Sequence, residues 1–152
     1  MANHIKHLSS LRTKAESFDI INGKNLEKMI NTENSTKTYE NQQMILGMCI
    51  HCSDISNPAK PEEVYDKWVE LVFVEFFHQG DLERQANIPI SLLCDRNTTN
   101  INKSQIGFIN FIVKPTFDCL KNFIPELNEY IFVIEKNLKR YEKNYALEQE
   151  KK

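Results

Sequence analysis

The stretch that decides how this chain is read is Ile50-His51-Cys52-Ser53-Asp54-Ile55-Ser56-Asn57-Pro58-Ala59-Lys60-Pro61. Met44, Ile45, Met48, Cys49 and Cys52 lead into it at helical spacing, and the helical pattern stops at a turn that carries two prolines. Asp54 falls at or near that helix end, where the dipole favours a cation over a carboxylate. A local rule broken beside a special turn marks a place where function overrides structure. Pro61, with Glu62-Glu63 behind it, suits the first turn of a second helix.

Downstream, Val64, Trp68, Leu71, Val72, Glu75, Phe76 and Gln79 share one face of that second helix. Phe73, Val74 and Phe77 widen the stripe until most sides are apolar, which predicts a helix in the middle of a bundle, with a bend or pause at Gly80-Asp81. Asn97 to Asn100 is a turn. Residues 101–124 read as helix, kinked or broken at Pro115. On that helix Gln105, Phe108, Ile109 and Ile112 share a face, so an amide sits in an apolar stripe. Pro125-Glu126 opens the last helix, with Leu127, Ile131, Ile134, Leu138 and Tyr141 as its stripe; the charged tail from Glu142 is expected to fray.

Upstream, Ile5, Leu8, Leu11, Ala15 and Phe18 mark an N-terminal helix. Leu26, Met29 and Ile30 hint at a short one, and residues 31–38 read as an exposed loop. His4 and His7 lie on one helical face and can both reach a single metal ion, but a catalytic zinc wants three protein ligands. Cys49-Ile50-His51-Cys52 contains C-x-x-C without the second pair of a zinc knuckle, and both thiols fit an apolar helix face. There are no repeats and hardly any alternation of strand type. The fold class is all-α, a compact helical bundle.

The 152 residues fit one domain, and 41% hydrophobic with 26% charged residues excludes wholesale disorder. Nineteen basic against 21 acidic residues give a net charge of −2 and no electrostatic case for a nucleic-acid partner. No apolar run approaches the roughly 20 residues of a membrane span, and no signal-peptide pattern is present, which points to a soluble, cytoplasmic chain, with a membrane-anchored longer parent compatible with it. The four cysteines read as free thiols in a reducing compartment. Four scattered glycines exclude a G-x-G-x-x-G fingerprint and a P-loop.

His51-Cys52-Ser53-Asp54-Ile55-Ser56-Asn57-Pro58-Ala59-Lys60-Pro61 closely resembles the metal-aspartate motif of the class I 3′,5′-cyclic nucleotide phosphodiesterases. The resemblance continues through Trp68, Glu75-Phe76-Phe77-His78-Gln79-Gly80-Asp81, Cys94-Asp95 and Lys103-Ser104-Gln105-Ile106-Gly107-Phe108-Ile109, and residues 1–16 look like the family helix that precedes the motif. It implies that residues 1–148 are the C-terminal portion of a larger all-α catalytic domain, with 149–152 a charged tail. It implies hydrolysis of a cyclic nucleotide to the 5′-monophosphate by a hydroxide held between two divalent metals, zinc with magnesium or manganese. Asp54 is then a metal ligand beside the substrate. Gln105 reads the purine edge, Phe108 stacks on the base, Val72 clamps its other face, and Asn57, Tyr65 and Trp68 line or order that end of the pocket. The preference implied is for cAMP, alone or with cGMP.

The family's general-acid histidine, two metal-ligand histidines and second metal-ligand aspartate lie upstream of the segment that resembles residue 1. No catalytic residue is therefore identified, and Asp54 is the lone recognisable metal ligand. Leu92 and Leu93 stand where relatives often carry Pro and Met. The expectation is a fragment whose partner is the missing N-terminal half, inactive alone and exposing apolar surface. The alternative is a non-catalytic helical interaction module.

Overall fold

A computed structural model describes residues 2–151; Met1 and Lys152, the outer ends of the expected domain and tail, lie outside the described residues. The elements are α1 (Ala2–Ser17), α2 (Leu26–Ile30), α3 (Ser35–Asp54), a 3₁₀ turn (Asn57–Ala59), α4 (Glu62–Gln85), α5 (Ile101–Phe108), a π turn (Ile109–Val113), α6 (Lys114–Leu120), a second 3₁₀ turn (Pro125–Leu127) and α7 (Asn128–Glu150). Among the described residues there is no strand, only an isolated bridge between Ile21 and Lys24. The fold is all-α. It contains two compact units, Met1–Ser56 with Ile112–Phe132, and Asn57–Phe111 with Val133–Lys152.

In the first unit α3 packs on α1, α2 and α6. Leu11, Met29 and Met48 are fully buried there. α2 has five residues, too few to be stable alone. Its last carbonyls are taken by α3: Asn41 donates to Met29 O at 2.8 Å and Gln42 to Ile30 O at 3.1 Å. Residues 31–38 are not all loop as expected. α3 begins at Ser35, because Asn34 Oδ1 accepts from Lys37 N at 3.0 Å and caps it. Gly23, at φ 74°, turns its N–H to Asn122 O at 2.7 Å.

In the second unit Tyr65, Val69 and Phe73 form the buried face of α4, while Val64, Trp68, Leu71 and Val74 are exposed. The expected stripe through Val64, Trp68 and Leu71 is therefore not the core face. Hydrophobicity marks what is able to pack, and packing also needs a partner surface, which α4 has on one side only. α4 does not pause at Gly80-Asp81 but runs on to Gln85. Gly80 serves another purpose: a Cβ there would stand 2.0 Å from the Cys94 carbonyl oxygen, so the returning loop lies directly on the helix backbone. Glu83 accepts from Ser91 N and Oγ, Arg84 pairs with Asp95, and Arg96 with Asp81, which fastens that loop to α4.

Pro115 interrupts its helix as expected, but the helical path does not end there. The π turn just before it takes up the misfit of a residue with no N–H to give. Thr116 Oγ1 covers Ile112 O at 2.6 Å. Along α7, Ile131, Ile134, Leu138 and Tyr141 are buried as the periodicity requires. The end of α7 does not fray at Glu142; it remains helical to Glu150.

Gly80→Ala is expected to lower the unfolding free energy by about 1–3 kcal/mol, because backbone has to move to admit the methyl group. Urea denaturation measures this, and an unchanged midpoint would refute the close approach.

Candidate functional site

The second unit holds a cavity of about 280 Å³, and Asn57, Tyr65, Trp68, Val72, Gln105 and Phe108 all line it. Asn57 comes from the 3₁₀ turn, Tyr65, Trp68 and Val72 from α4, and Gln105 and Phe108 from α5. The spacing explains the convergence. Tyr65, Trp68 and Val72 stand at i, i+3 and i+7 on one side of α4, and Gln105 and Phe108 at i and i+3 on α5.

The buried amide in this largely apolar wall is Gln105. Its side chain is nearly buried, and Tyr65 donates its hydroxyl to Gln105 Oε1 at 2.6 Å. Burial raises the Tyr65 pKa far above its ordinary value, with the neighbouring Tyr141 adding to it, so the phenol keeps the proton it donates. The bond holds the amide in one orientation and leaves Nε2 and the second lone pair of Oε1 for a ligand.

Behind Tyr65 stands α7. The Tyr141 ring meets the Tyr65 ring edge to face, centroids 5.4 Å apart at 68°. Tyr141 donates to Asp66 Oδ1 at 2.9 Å, and Arg140 holds both oxygens of Asp66 at 2.6 and 2.9 Å while lying over the Tyr141 ring. Burial pushes the Tyr141 pKa up to about 12, helped by the Asp66 charge that accepts its hydrogen bond. Asn137, buried, donates to Pro58 O at 2.8 Å and Lys60 O at 3.0 Å and so fixes the turn that presents Asn57.

Phe73, Phe76, Val69, Leu93 and Ser104 also line the cavity and were not anticipated. Phe73 and Phe76 were legible as apolar α4 residues, though nothing in their spacing says which faces a cavity. Of the two departures from the family pattern, Leu93 lies in the wall at φ 69°, and Leu92 is exposed.

Asp54 is the last residue of α3, in the first unit, and is exposed. Among the described residues no three His, Cys, Asp or Glu side chains converge to hold a metal ion. The donor set among the described residues does not fit a zinc or magnesium centre, because Asp54 alone supplies too few ligands. His4 does not join His7 in a metal pair. Its Nδ1 instead lies 2.7 Å from His51 Nε2, a hydrogen bond that joins α1 to α3. All four cysteines are free, and burial, followed by Cys49 and Cys119, pushes the Cys52 thiol up to about 12, as suits a packing residue.

A family model described as 3′5′-cyclic nucleotide phosphodiesterase matches residues 1–134. The chain is 33% identical over 143 residues to the 3′,5′-cyclic-AMP phosphodiesterase 4C of Rattus norvegicus, covering 93% of this chain and 25% of that protein. It is 34% identical over 143 residues to the 3′,5′-cyclic-AMP phosphodiesterase, isoform F, of Drosophila melanogaster, covering 93% of this chain and 20% of the relative. The chain thus spans a quarter or less of these curated relatives. A solved structure, LmjPDEB1 in complex with IBMX, shares the fold with a TM-score of 0.79 at 24% identity, over 96% of this chain and 40% of that one. This chain belongs to the 3′5′-cyclic nucleotide phosphodiesterase family.

Tyr65→Phe keeps the ring and removes the donor, leaving Gln105 Oε1 without its partner, so stability should fall by about 1–3 kcal/mol. The Gln105 side-chain amide signals in NMR should shift and broaden as the amide gains a second orientation; unchanged signals would refute the lock. His4 has its pKa lowered from 6.5, by burial first and then by His51. The unfolded chain therefore takes up that proton more readily than the folded one. The destabilisation is absent above the unfolded value and grows as pH falls through it. Melting temperature should drop between about pH 7.5 and about pH 5.5, and His4→Gln should flatten the drop. An identical slope in the variant would remove His4 as its source.

Proposed function

We propose, from membership in this family and from the cavity of the second unit, that the chain is the base-binding part of an enzyme hydrolysing a 3′,5′-cyclic nucleotide to its 5′-monophosphate. The observation that carries this is the buried Tyr65–Gln105 hydrogen bond at the cavity wall. An amide held in one orientation offers one donor and one acceptor in fixed order to a flat heteroaromatic edge. Phe108 and Val72, both in the wall, suit the two faces of such a ring.

The relatives named above are 3′,5′-cyclic-AMP phosphodiesterases, and adenine is the base we assign. Nε2 donates to the ring nitrogen of the base, and the free lone pair of Oε1 accepts from its exocyclic amine. Guanine presents donor and acceptor in the reverse order and calls for the flipped amide. That flip would turn Nε2 toward the Tyr65 oxygen and leave the phenol hydrogen without its acceptor, a cost of about 1–3 kcal/mol. Tyr65 is thus a selector for cAMP.

Binding and orienting the base is the task assigned to residues 1–148 of this chain. The phosphate chemistry is assigned to metal ligands and a general acid in a part of the catalytic domain other than these residues, with Asp54 as this chain's contribution to the ligand set. That no three His, Cys, Asp or Glu side chains gather among the described residues, and that the chain spans a quarter or less of the relatives, support that division. The donor count also favours a second reading, a helical module that binds a nucleotide or a partner without turnover.

The chain has a single tryptophan, Trp68, in the cavity wall, which makes its fluorescence a reporter. Titration with cAMP should give a saturable change that Gln105→Ala abolishes; no change, or the same change in the variant, would sink the base-pocket assignment. The chain alone, supplied with zinc and magnesium, should hydrolyse no detectable cAMP. Metal-dependent turnover would overturn the division of labour. Supplying the preceding part of a relative's catalytic domain should create turnover, and continued inactivity with intact binding would favour the non-catalytic module.

A further inference from the structure

The end of α7 reads as a charged tail in sequence, yet its last turns are tied down. Glu148 accepts a hydrogen bond on each carboxylate oxygen, from Asn100 Nδ2 at 2.7 Å and from Asn102 Nδ2 at 2.6 Å. Asn100 is the N-cap of α5: its Oδ1 accepts from Lys103 N at 2.7 Å, and its carbonyl accepts from Ser104 Oγ at 2.7 Å. The same amide group is therefore held on one side by Glu148 while it caps the helix on the other. α5 runs on without a break into the π turn and α6, so its cap and its tertiary contacts fix where that helical path begins. Ser104, Gln105 and Phe108 of the cavity wall all lie on it.

We infer that Glu148 is a positioning residue for the cavity: from the far end of α7 it fixes the N-terminus of α5 and thereby the placement of Gln105 and Phe108. The inference rests on the reading of the cavity as a base pocket. It gives the end of α7 a role in ligand recognition without contact to the ligand. A carboxylate suits the task because two amide N–H groups converge on it from one side, and its charge is favourable beside a helix N-terminus. Glutamine retains one acceptor for the two donors, and alanine retains none.

The test uses the whole chain with Glu148→Ala and Glu148→Gln, reading amide hydrogen exchange across α5 and cAMP affinity from Trp68 fluorescence. In Glu148→Ala, exchange in α5 should quicken by about tenfold and cAMP should bind about tenfold more weakly, the loss of a charge-assisted contact. Exchange in α4 should be unchanged. Glu148→Gln should recover to within about threefold of the wild type, having kept one acceptor. Unaltered α5 exchange in Glu148→Ala would overturn the clamp. Faster α5 exchange with wild-type cAMP affinity would overturn its role in the pocket. Absence of any cAMP signal in the wild-type chain would overturn the base-pocket reading itself, and the exchange data would still decide whether Glu148 holds α5.

Discussion

An amide buried in an apolar helix face has to be satisfied, and the Tyr65 hydroxyl on Gln105 Oε1 does this in the second unit. That one bond couples α4 to α5 at the cavity wall. It also requires Tyr65 to be held at a set height, which Tyr141 does by packing its ring edge to face. Tyr141 is in turn fixed by Asp66, and Asp66 by Arg140. The chain of contacts alternates charge, hydrogen bond and ring. Each link is short-ranged, so an error of an ångström at one end would break the last bond.

α7 is the common support. Its Asn137 holds the turn before α4, Arg140 and Tyr141 hold the first turns of α4, and Glu148 holds the start of α5. These contacts are polar, whereas Ile134 and Leu138 supply apolar burial along the same helix. Apolar packing sets affinity between elements but tolerates sliding; directional hydrogen bonds to named carbonyls and amides fix the register. A cavity wall that holds a buried amide in one orientation needs the second kind of contact around it.

The helices were legible where period and partner coincide. Ile131, Ile134, Leu138 and Tyr141 show the period and are buried. Val64, Trp68 and Leu71 show it equally well and are exposed, because periodicity describes one surface and burial needs two. Pro115 announced an irregularity, but its form as a π turn depends on carbonyls no local rule identifies. Asn41, Asn137 and Glu148 were not legible at all. Each is a polar residue in a helix, ordinary by sequence, and its role comes from a carbonyl or amide that is distant along the chain. Of the cavity residues, Asn57, Tyr65, Trp68, Val72, Gln105 and Phe108 were legible by their resemblance to a known pattern, and the spacing of Tyr65, Trp68 and Val72 on α4 is consistent with it. Nothing local distinguishes Phe73 from its exposed neighbour Val74.

The aspartate at the end of α3 and the glutamine of α5 ask different things of the protein. Gln105 needs a fixed orientation, and the described residues supply every link that fixes it. Asp54, a metal ligand by resemblance alone, would need further ligands, and among the described residues no three His, Cys, Asp or Glu side chains converge to hold a metal ion. The contacts that fix Gln105 thus all lie in the second unit, whereas among the described residues no metal-ligand set gathers. A histidine pair on α1 and α3 does not fill the gap, because His4 and His51 spend their facing nitrogens on each other. Two imidazoles bonded at that distance share one proton between them, and a third ligand would still be missing. The opening motif is therefore a junction. Asp54, on its helical side, stands exposed at the end of α3, while Asn57, Pro58 and Lys60, on its turn side, are bound into the cavity wall and the α7 support.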